Sequence, residues 1–311
     1  MSADKPRVNR CVSAALVAML GFLGVVLLLQ VAAMVVSPSK SACTKQVCLS
    51  KFLEGPPLFN DEAMAAYLRK NYFLPPAASD YNLSGNDGAS TFSASLLQFV
   101  TDYFKNKRGG VFVDIGAGDG EYHSLTLPLE KNLGWTGLLV EPNPRLYKKL
   151  LKKGRRAQVT KACVSPYSYP AMMKLSHPRV EAGTQDANLL TTLGMTKLSQ
   201  LWHKDNNTQY EEFDSQCVPL ENLVYAAGIT STIDLLVLDM SGTDLDVLMN
   251  TKFDVIPALE MIVIYSHGAN ITDDVQGYFM EQNMVAKRVF GENTRKNAAF
   301  VLVKFDAEKD I

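Results

Sequence analysis

The stretch VFVDIGAGDGEY, Val111–Tyr122, decides the fold of this chain. Val111–Ile115 is a short apolar run with one acid, Asp114, and it leads into Gly116, Gly118 and Gly120 at every second position. The run reads as a buried strand, with a helix expected to begin near Glu121. Closely spaced glycines remove the Cβ atoms that would hold a ligand away from the backbone, and they equally suit a tight strand-to-helix turn. In an open α/β sheet, nucleotide-like ligands sit at the carboxyl end of the first strand. A second apolar run, Gly137–Val140, ends in Glu141, a carboxylate able to take both hydroxyls of a ribose. Together the two strand ends point to an adenosine-type cofactor.

Working outward, Asn60–Phe73 (NDEAMAAYLRKNYF) predicts a helix, with Asn60 as its cap, Asp61 and Glu62 in the first turn and Pro75-Pro76 beyond its end. Ser79–Ser90 has turn composition. Thr91–Lys107 places Leu96, Leu97, Val100, Tyr103 and Phe104 on one helical face, and Arg108–Gly110 ends it. After the glycine stretch, helices and strands alternate. A helix is expected over Glu121–Leu133, kinked or interrupted at Pro128, then a strand over Gly137–Glu141, a helix over Pro144–Lys153 and a strand over Ala157–Val164. Ser165–Gln216 is long and polar, with a helical segment near Leu189–Trp202, and reads as an insertion lying over the sheet edge. The alternation resumes with a helix over Pro219–Ala227, a strand over Ile233–Asp239, a helix over Asp244–Asn250, a strand over Met261–Tyr265 and a helix over Asp273–Asn283. Val285–Phe290 and Ala298–Phe305 are expected as antiparallel edge strands. IDLLVLD is apolar nearly throughout, which fits a central parallel strand covered on both faces. The fold class is therefore α/β, a doubly wound, mostly parallel Rossmann-like sheet.

A chain of 311 residues with 47% hydrophobic and 20% charged residues can bury a full core in one or two domains. Its net charge of −1 gives no electrostatic case for nucleic acid. The local run Lys148, Lys149, Lys152, Lys153, Arg155, Arg156 reads as a solvated helix end. Cys11–Val36 carries no charge at all. As a helix rising about 1.5 Å per residue it outlasts a hydrocarbon core of roughly 30 Å, and it is too long for the apolar part of a cleaved signal, so an uncleaved transmembrane anchor is expected. The organisation read from the sequence is a short cytosolic tail (1–10), the anchor (11–36), a stem and lead-in helix (37–90), and the main domain (91–311). Lys5, Arg7 and Arg10 before the span nearly balance Lys40, Lys45 and Lys51 after it. Glycosylation sequons at Asn82, Asn206 and Asn270 lean toward a luminal or extracellular main domain, although about two would arise by chance. Four of the five cysteines follow the span, compatible with two disulfides in any of three connectivities. Cys43–Cys48 with Cys163–Cys217 is the favoured pairing, beside the alternative of free buried thiols. The histidines His123, His177, His203 and His267 show no metal-ligand spacing, and no metal site is expected. Only His267, at the end of an expected strand, is placed for catalysis, and a turn histidine is the simpler reading.

VDIGAGDGEY (Val113–Tyr122), GLLVEPNP (Gly137–Pro144) and IDLLVLDMSG (Ile233–Gly242) together resemble the FkbM-type family of S-adenosylmethionine (SAM) dependent methyltransferases, over roughly Gly110–Phe305. The single N-terminal span and LGWTGLLVEPNPRLY (Leu133–Tyr147) look closer still to the membrane-anchored relatives of the arthropod protein Star, which are associated with export of membrane-bound growth-factor ligands through the early secretory pathway. The resemblance implies that Asp114, Gly116, Gly118 and Gly120 line the methionine end of SAM, that Glu141 holds the ribose, and that Asp239 faces the reacting region as the catalytic candidate. It also places Cys163 and Cys217 where luminal relatives tend to carry paired cysteines. The implied partners are the membrane and either a membrane-bound client protein or a small hydroxylated substrate. Two departures stand out. The family usually carries an acid at the position of Ser241, and an acid–histidine pair near Tyr265–His267; loss of a general base removes about 10²–10⁴-fold in rate without abolishing cofactor binding. The expectation is a Star-like trafficking factor on an endomembrane anchor, with an active SAM-dependent O-methyltransferase as the alternative.

Overall fold

The computed structural model describes residues 55–85, 91–178, 196–199, 209–240, 242–266, 273–291 and 298–305. The Cys11–Val36 run, Cys43, Cys48, Asn206, Asn270, His203, Ser241 and His267 lie outside them. No helix among the described residues is long and apolar enough to cross a membrane. The chain divides into Met1–Gly55 and Pro56–Ile311, and the architecture below is that of the second unit.

In chain order, α1 (Glu62–Asn71), β1 (Phe73–Leu74) and α2 (Thr91–Tyr103) lead in. Then β2 (Val111–Ile115), α3 (Thr126–Leu133), β3 (Thr136–Val140), α4 (Pro144–Leu150) and β4 (Gln158–Thr160) alternate. Four strands follow: β5 (Cys163–Val164), β6 (Ala171–Pro178), β7 (Lys197–Leu198) and β8 (Tyr210–Val218). The chain ends with α5 (Leu220–Ala227), β9 (Ile233–Leu238), α6 (Asp244–Asn250), β10 (Leu259–Ser266), α7 (Asp273–Glu281), β11 (Met284–Gly291) and β12 (Ala298–Lys304).

An eight-stranded sheet has the order β1-β4-β3-β2-β9-β10-β12-β11. The five strands from β4 to β10 are parallel, with β2 and β9 at the centre. Because side chains alternate along a strand, these apolar runs bury two faces at once. Val113, Ile115, Leu138, Val140, Leu236 and Leu238 pack under α1, α5, α6 and α7. Phe112, Leu139, Leu235, Val237, Met261 and Val263 pack under α2, α3 and α4. The doubly wound arrangement expected from the alternating pattern is what forms.

The C-terminal strands differ from expectation. Strand β12 lies between β10 and β11, antiparallel to both, so Ala298–Phe305 supplies an interior strand and only β11 is at the edge. Its run Ala299, Val301, Leu302, Val303 is fully buried, as an interior place requires. At the opposite edge, Phe73 and Leu74 pair antiparallel with Thr160 and Val159, so the lead-in segment is built into the sheet. Its helix is capped by Asp61, whose Oδ1 accepts from the Met64 N–H at 2.7 Å, rather than by Asn60.

Two further expectations are corrected. The helix after the glycine loop starts at Thr126, not near Glu121, and Pro128 stands in its first turn, where no N–H is needed and no kink results. Most of what is described within 165–216 is β structure: β6, β7 and β8 join β5 in a separate four-stranded sheet of order β5-β8-β6-β7, and Lys197–Leu198 is a strand inside the range expected as helix. The expected strand Ala157–Val164 breaks at Lys161–Ala162 and so serves both sheets, β4 in one and β5 in the other.

Cys163 on β5 and Cys217 on β8 are register partners, 4.3 Å apart at Cα, and are joined by a disulfide across a sequence separation of 54. A crosslink of this span typically contributes about 2–4 kcal/mol. Reduction, or the Cys163→Ala/Cys217→Ala pair, is therefore expected to lower the melting temperature by roughly 2–4 °C per kcal/mol lost. Melts that coincide with and without reductant would show that the bridge contributes nothing.

Candidate cofactor site

The carboxyl ends of β2, β3 and β9 meet at one place. The Gly116 and Ala117 N–H groups donate to the Val140 carbonyl (2.9 and 3.1 Å), and the Asp239 N–H donates to the Ile115 carbonyl (2.9 Å). A Cβ on Gly116 would overlap the Asp239 carbonyl, and one on Gly120 would overlap the Leu150 side chain, so these two glycines serve close packing of the chain on itself. Gly118 is different. It sits at φ +60°, and a Cβ there would meet nothing within 4 Å, so it is the member of the triplet that faces open space.

Glu141 closes the loop from the other side. Its Oε2 accepts from the Gly118 N–H and its Oε1 from the Asn143 N–H, both at 2.8 Å, while the side chain is 2% exposed. Asn143 caps α4 through Oδ1, which accepts from the N–H groups of Arg145 (2.9 Å) and Leu146 (3.3 Å), with Pro144 at the start of the helix. The EPNP motif is thus a carboxylate, a helix cap and a helix-starting proline in one turn.

Burial pushes the Glu141 carboxyl up to about 8; the Asn143 and Gly118 N–H groups oppose this, and the Asp239 and Asp114 charges add to it. Asp114 is pushed up to about 6, again by burial first, against the Thr126 hydrogen bond and the Arg155 charge. Tyr265 is raised by burial and by the same two aspartates. Between an ordinary value of 4.5 and about 8, folded Glu141 therefore holds a proton that the unfolded chain has released, and stability contributed by this group falls as pH rises through that window. The melting temperature of ligand-free protein is expected to decline from pH 5 to pH 8 more steeply in the parent than in Glu141→Gln. Parallel curves for the two proteins would refute it.

The loop is fastened from behind by a group that sequence reasoning missed. Arg155 is buried, its side chain 1% exposed. Its Nε donates to Glu130 Oε2 (3.1 Å), Nη1 to the Gly120 carbonyl (2.7 Å) and Nη2 to Thr126 Oγ1 (3.0 Å). The Thr126 hydroxyl in turn donates to Asp114 Oδ2 at 2.5 Å. Glu121 binds the lead-in segment: it accepts from the Ser84 and Gly85 N–H groups (2.8 and 2.7 Å), from Ser84 Oγ (2.9 Å) and from Lys153 Nζ (2.5 Å). Burial pushes its carboxyl up, but Lys153 and the Ser84 and Gly85 hydrogen bonds prevail and hold it at about 2. The basic run is therefore not a solvated helix end throughout. Lys148, Lys149 and Lys152 are exposed, whereas Lys153 and Arg155 turn inward onto the loop. Spacing along the basic run could not reveal this, because the partners lie 25 to 35 residues away.

Of the residues expected at the site, Gly116, Glu141 and Asp239 line one open cleft of about 520 Å³, its mouth included. Gly118 joins them through its N–H to Glu141, while Asp114 and Gly120 stand behind the loop. The turn after β9 is held by Asp244, whose carboxylate accepts from the N–H groups of Met240 (2.8 Å) and Gly242 (3.1 Å). His123 lies 3.3 Å from Ser93 Oγ, and His177 is buried and pushed down to about 4, by burial first and then by Arg145 and Lys149. Among the described residues no group of three or more His, Cys, Asp or Glu could hold a metal ion. Asn82 is exposed.

The family model of the methyltransferase FkbM domain matches residues 114–306, more than half of the chain, from the acid of β2 to just past β12. The chain belongs to the methyltransferase FkbM domain family. Its folded unit is accordingly a SAM-dependent methyltransferase-like domain of Rossmann-like α/β build. Among solved structures, TrmK of M. capricolum in complex with S-adenosyl-homocysteine is similar at 11% identity, covering 70% of this chain and 69% of that one, with a TM-score of 0.36. The methyltransferase domain of METTL16 is similar at 12% identity, covering 82% and 99%, with a TM-score of 0.39. The human methyltransferase 10 domain containing protein is similar at 10% identity, covering 82% and 100%, with a TM-score of 0.37. No curated protein matches the chain.

Proposed function

We propose that this FkbM domain binds SAM at the ends of β2 and β3 and methylates a hydroxyl, on a sugar or another small hydroxylated group, at the end of β9. The observation that carries the reading is Glu141, a buried carboxylate that ties down the Gly118 N–H and still has acceptor capacity for two ribose hydroxyls. The surroundings fit the cofactor. Open space lies over Gly118, and Glu141 gains the negative charge that suits a cationic ligand as it ionises at about pH 8. When bound, SAM supplies an electrophilic methyl on a sulfonium that departs as a neutral thioether. The chain's own part is to orient the acceptor in the cleft and to take its proton, and Asp239, which lines the cleft, is the carboxylate for that transfer.

Calorimetric titration of the full chain with SAM tests the reading. One saturable site is expected in the parent, and loss of binding in Gly118→Val, whose branched side chain is both strained at φ +60° and placed in the ligand space. No heat in the parent would sink the proposal.

A second reading, a membrane-anchored Star-like factor in secretory-pathway trafficking of a membrane-bound client, is supported by the uncharged Cys11–Val36 run and by the Cys163–Cys217 bridge, which suits an oxidising compartment. It places the main domain in the lumen or outside the cell, where cytosolically made SAM would have to be imported. An endoglycosidase shift that vanishes in Asn82→Gln supports that placement; protease sensitivity from the cytosolic side reverses it. Client export that survives Gly118→Val would separate trafficking from the cofactor.

A further inference from the structure

The cleft has a second wall that the cofactor-binding residues do not account for. Its floor carries two carboxylates, Glu141 and Asp239, at the strand ends of the main sheet, beside Ile115, Val140 and Met240. The opposing wall is mainly the inner face of the four-stranded sheet: Met173 and Leu175 of β6, Leu198 of β7, and the Cys163–Cys217 bridge between β5 and β8, with Thr196 and Lys197 also lining the cleft. These side chains form an apolar cluster of their own, separate from the two core layers of the main sheet. Strand alternation makes the wall continuous, since Met172 and Lys174 of β6 point to the opposite, exposed face. The disulfide joins the first and last strands of the segment that builds the wall, which holds it in place at its base.

The thioether, leucine and disulfide side chains offer no strong donors or acceptors. Of the two polar side chains that line the cleft beside them, Thr196 already accepts from Asn143 Nδ2 and lies 3.3 Å from His177 Nδ1, and the other is the Lys197 amine. A sugar laid flat against Met173, Leu175 and Leu198 would leave the ring hydroxyls on that side desolvated and unpaired, at about 1–3 kcal/mol for each. An apolar surface gains roughly 25 cal/mol for each Å² removed from water there. Resting on the methyltransferase reading of the cleft, we propose that the methyl acceptor is amphipathic: a phenol or similar hydroxyl borne on an apolar body, which lies against Met173, Leu175 and Leu198 with its hydroxyl directed to Asp239. The methyl then bonds to the acceptor oxygen as the hydroxyl proton passes to the Asp239 carboxylate, and an aryl or alkyl methyl ether leaves with the thioether product.

The full chain is first titrated with S-adenosyl-homocysteine, then, saturated with it, with 2-naphthol and separately with methyl glucoside. Saturable naphthol binding is expected, with no saturation by the glucoside. Met173→Gln and Leu198→Gln are each expected to weaken naphthol about ten-fold while leaving S-adenosyl-homocysteine affinity unchanged, which also reports that the variants are folded. Glucoside binding without naphthol binding would overturn the proposal, as would naphthol affinity indifferent to both variants. A parallel fall in S-adenosyl-homocysteine affinity would assign the wall to the cofactor and overturn it too. Failure of S-adenosyl-homocysteine to bind the parent is the separate result that removes the cofactor reading itself.

Discussion

Replacing Arg155 with methionine is expected to cost about 3–5 kcal/mol of folding stability, the range found when one partner of a buried ion pair is removed. The guanidinium is enclosed, and it satisfies at once the Glu130 carboxylate, the Gly120 carbonyl and the Thr126 hydroxyl that holds Asp114. Methionine fills much of the volume and leaves a buried carboxylate without its charge partner. Part of Glu130 stays satisfied, since Oε1 accepts from Tyr81 (3.0 Å) and from the Arg156 N–H (2.7 Å), which sets the expected loss within this range rather than above it. Arg155→Lys is expected to recover little, because one ammonium cannot reach three acceptors that lie in different directions. Urea denaturation of the ligand-free protein measures the effect. A loss below about 1 kcal/mol would show that the cluster does not hold the loop.

Glu141→Ala is expected to weaken SAM binding by at least about 100-fold. Hydrogen bonds to a charged group contribute about 1.5–3 kcal/mol each, and the proposed ribose contact would supply two. The substitution also frees the Gly118 and Asn143 N–H groups, so the loop loses its anchor along with the ligand. Glu141→Gln keeps one carbonyl acceptor and should fall between. The ionised form is the one that takes two donors, so parent affinity should rise with pH up to about 8, where burial has moved the carboxyl. SAM affinity unchanged in Glu141→Ala, in a protein with a normal melt, would remove the ribose role.

The central strands and Glu141 were legible because their causes are local. VFVDI and GLLV are apolar on both faces and end in an acid and a turn, and no distant partner is needed to read them. The small sheet was not legible for a matching reason. In YEEFDSQCV the alternation is diluted by acids on the exposed face, and its pairing partner AMMKLSHP lies across a long polar stretch. The site divides in the same way. Gly116, Gly118 and Gly120 are identical in sequence, yet two of them serve packing against Asp239 and Leu150 and one faces open space.

By itself the sequence determined the doubly wound sheet and the strand ends that bear Asp114, Glu141 and Asp239, since strand periodicity, glycine spacing and residue type are properties of short segments. It only favoured the Cys163–Cys217 pairing, which the register of β5 on β8 decided. Only the tertiary structure decided that β12 enters between β10 and β11, that Arg155 and Lys153 turn inward to fasten the glycine loop, and that a disulfide-closed apolar wall faces the carboxylates across the cleft. Burial and hydrogen bonding between segments far apart in the chain set those outcomes, and a linear pattern carries no record of which distant groups will share a dry interior.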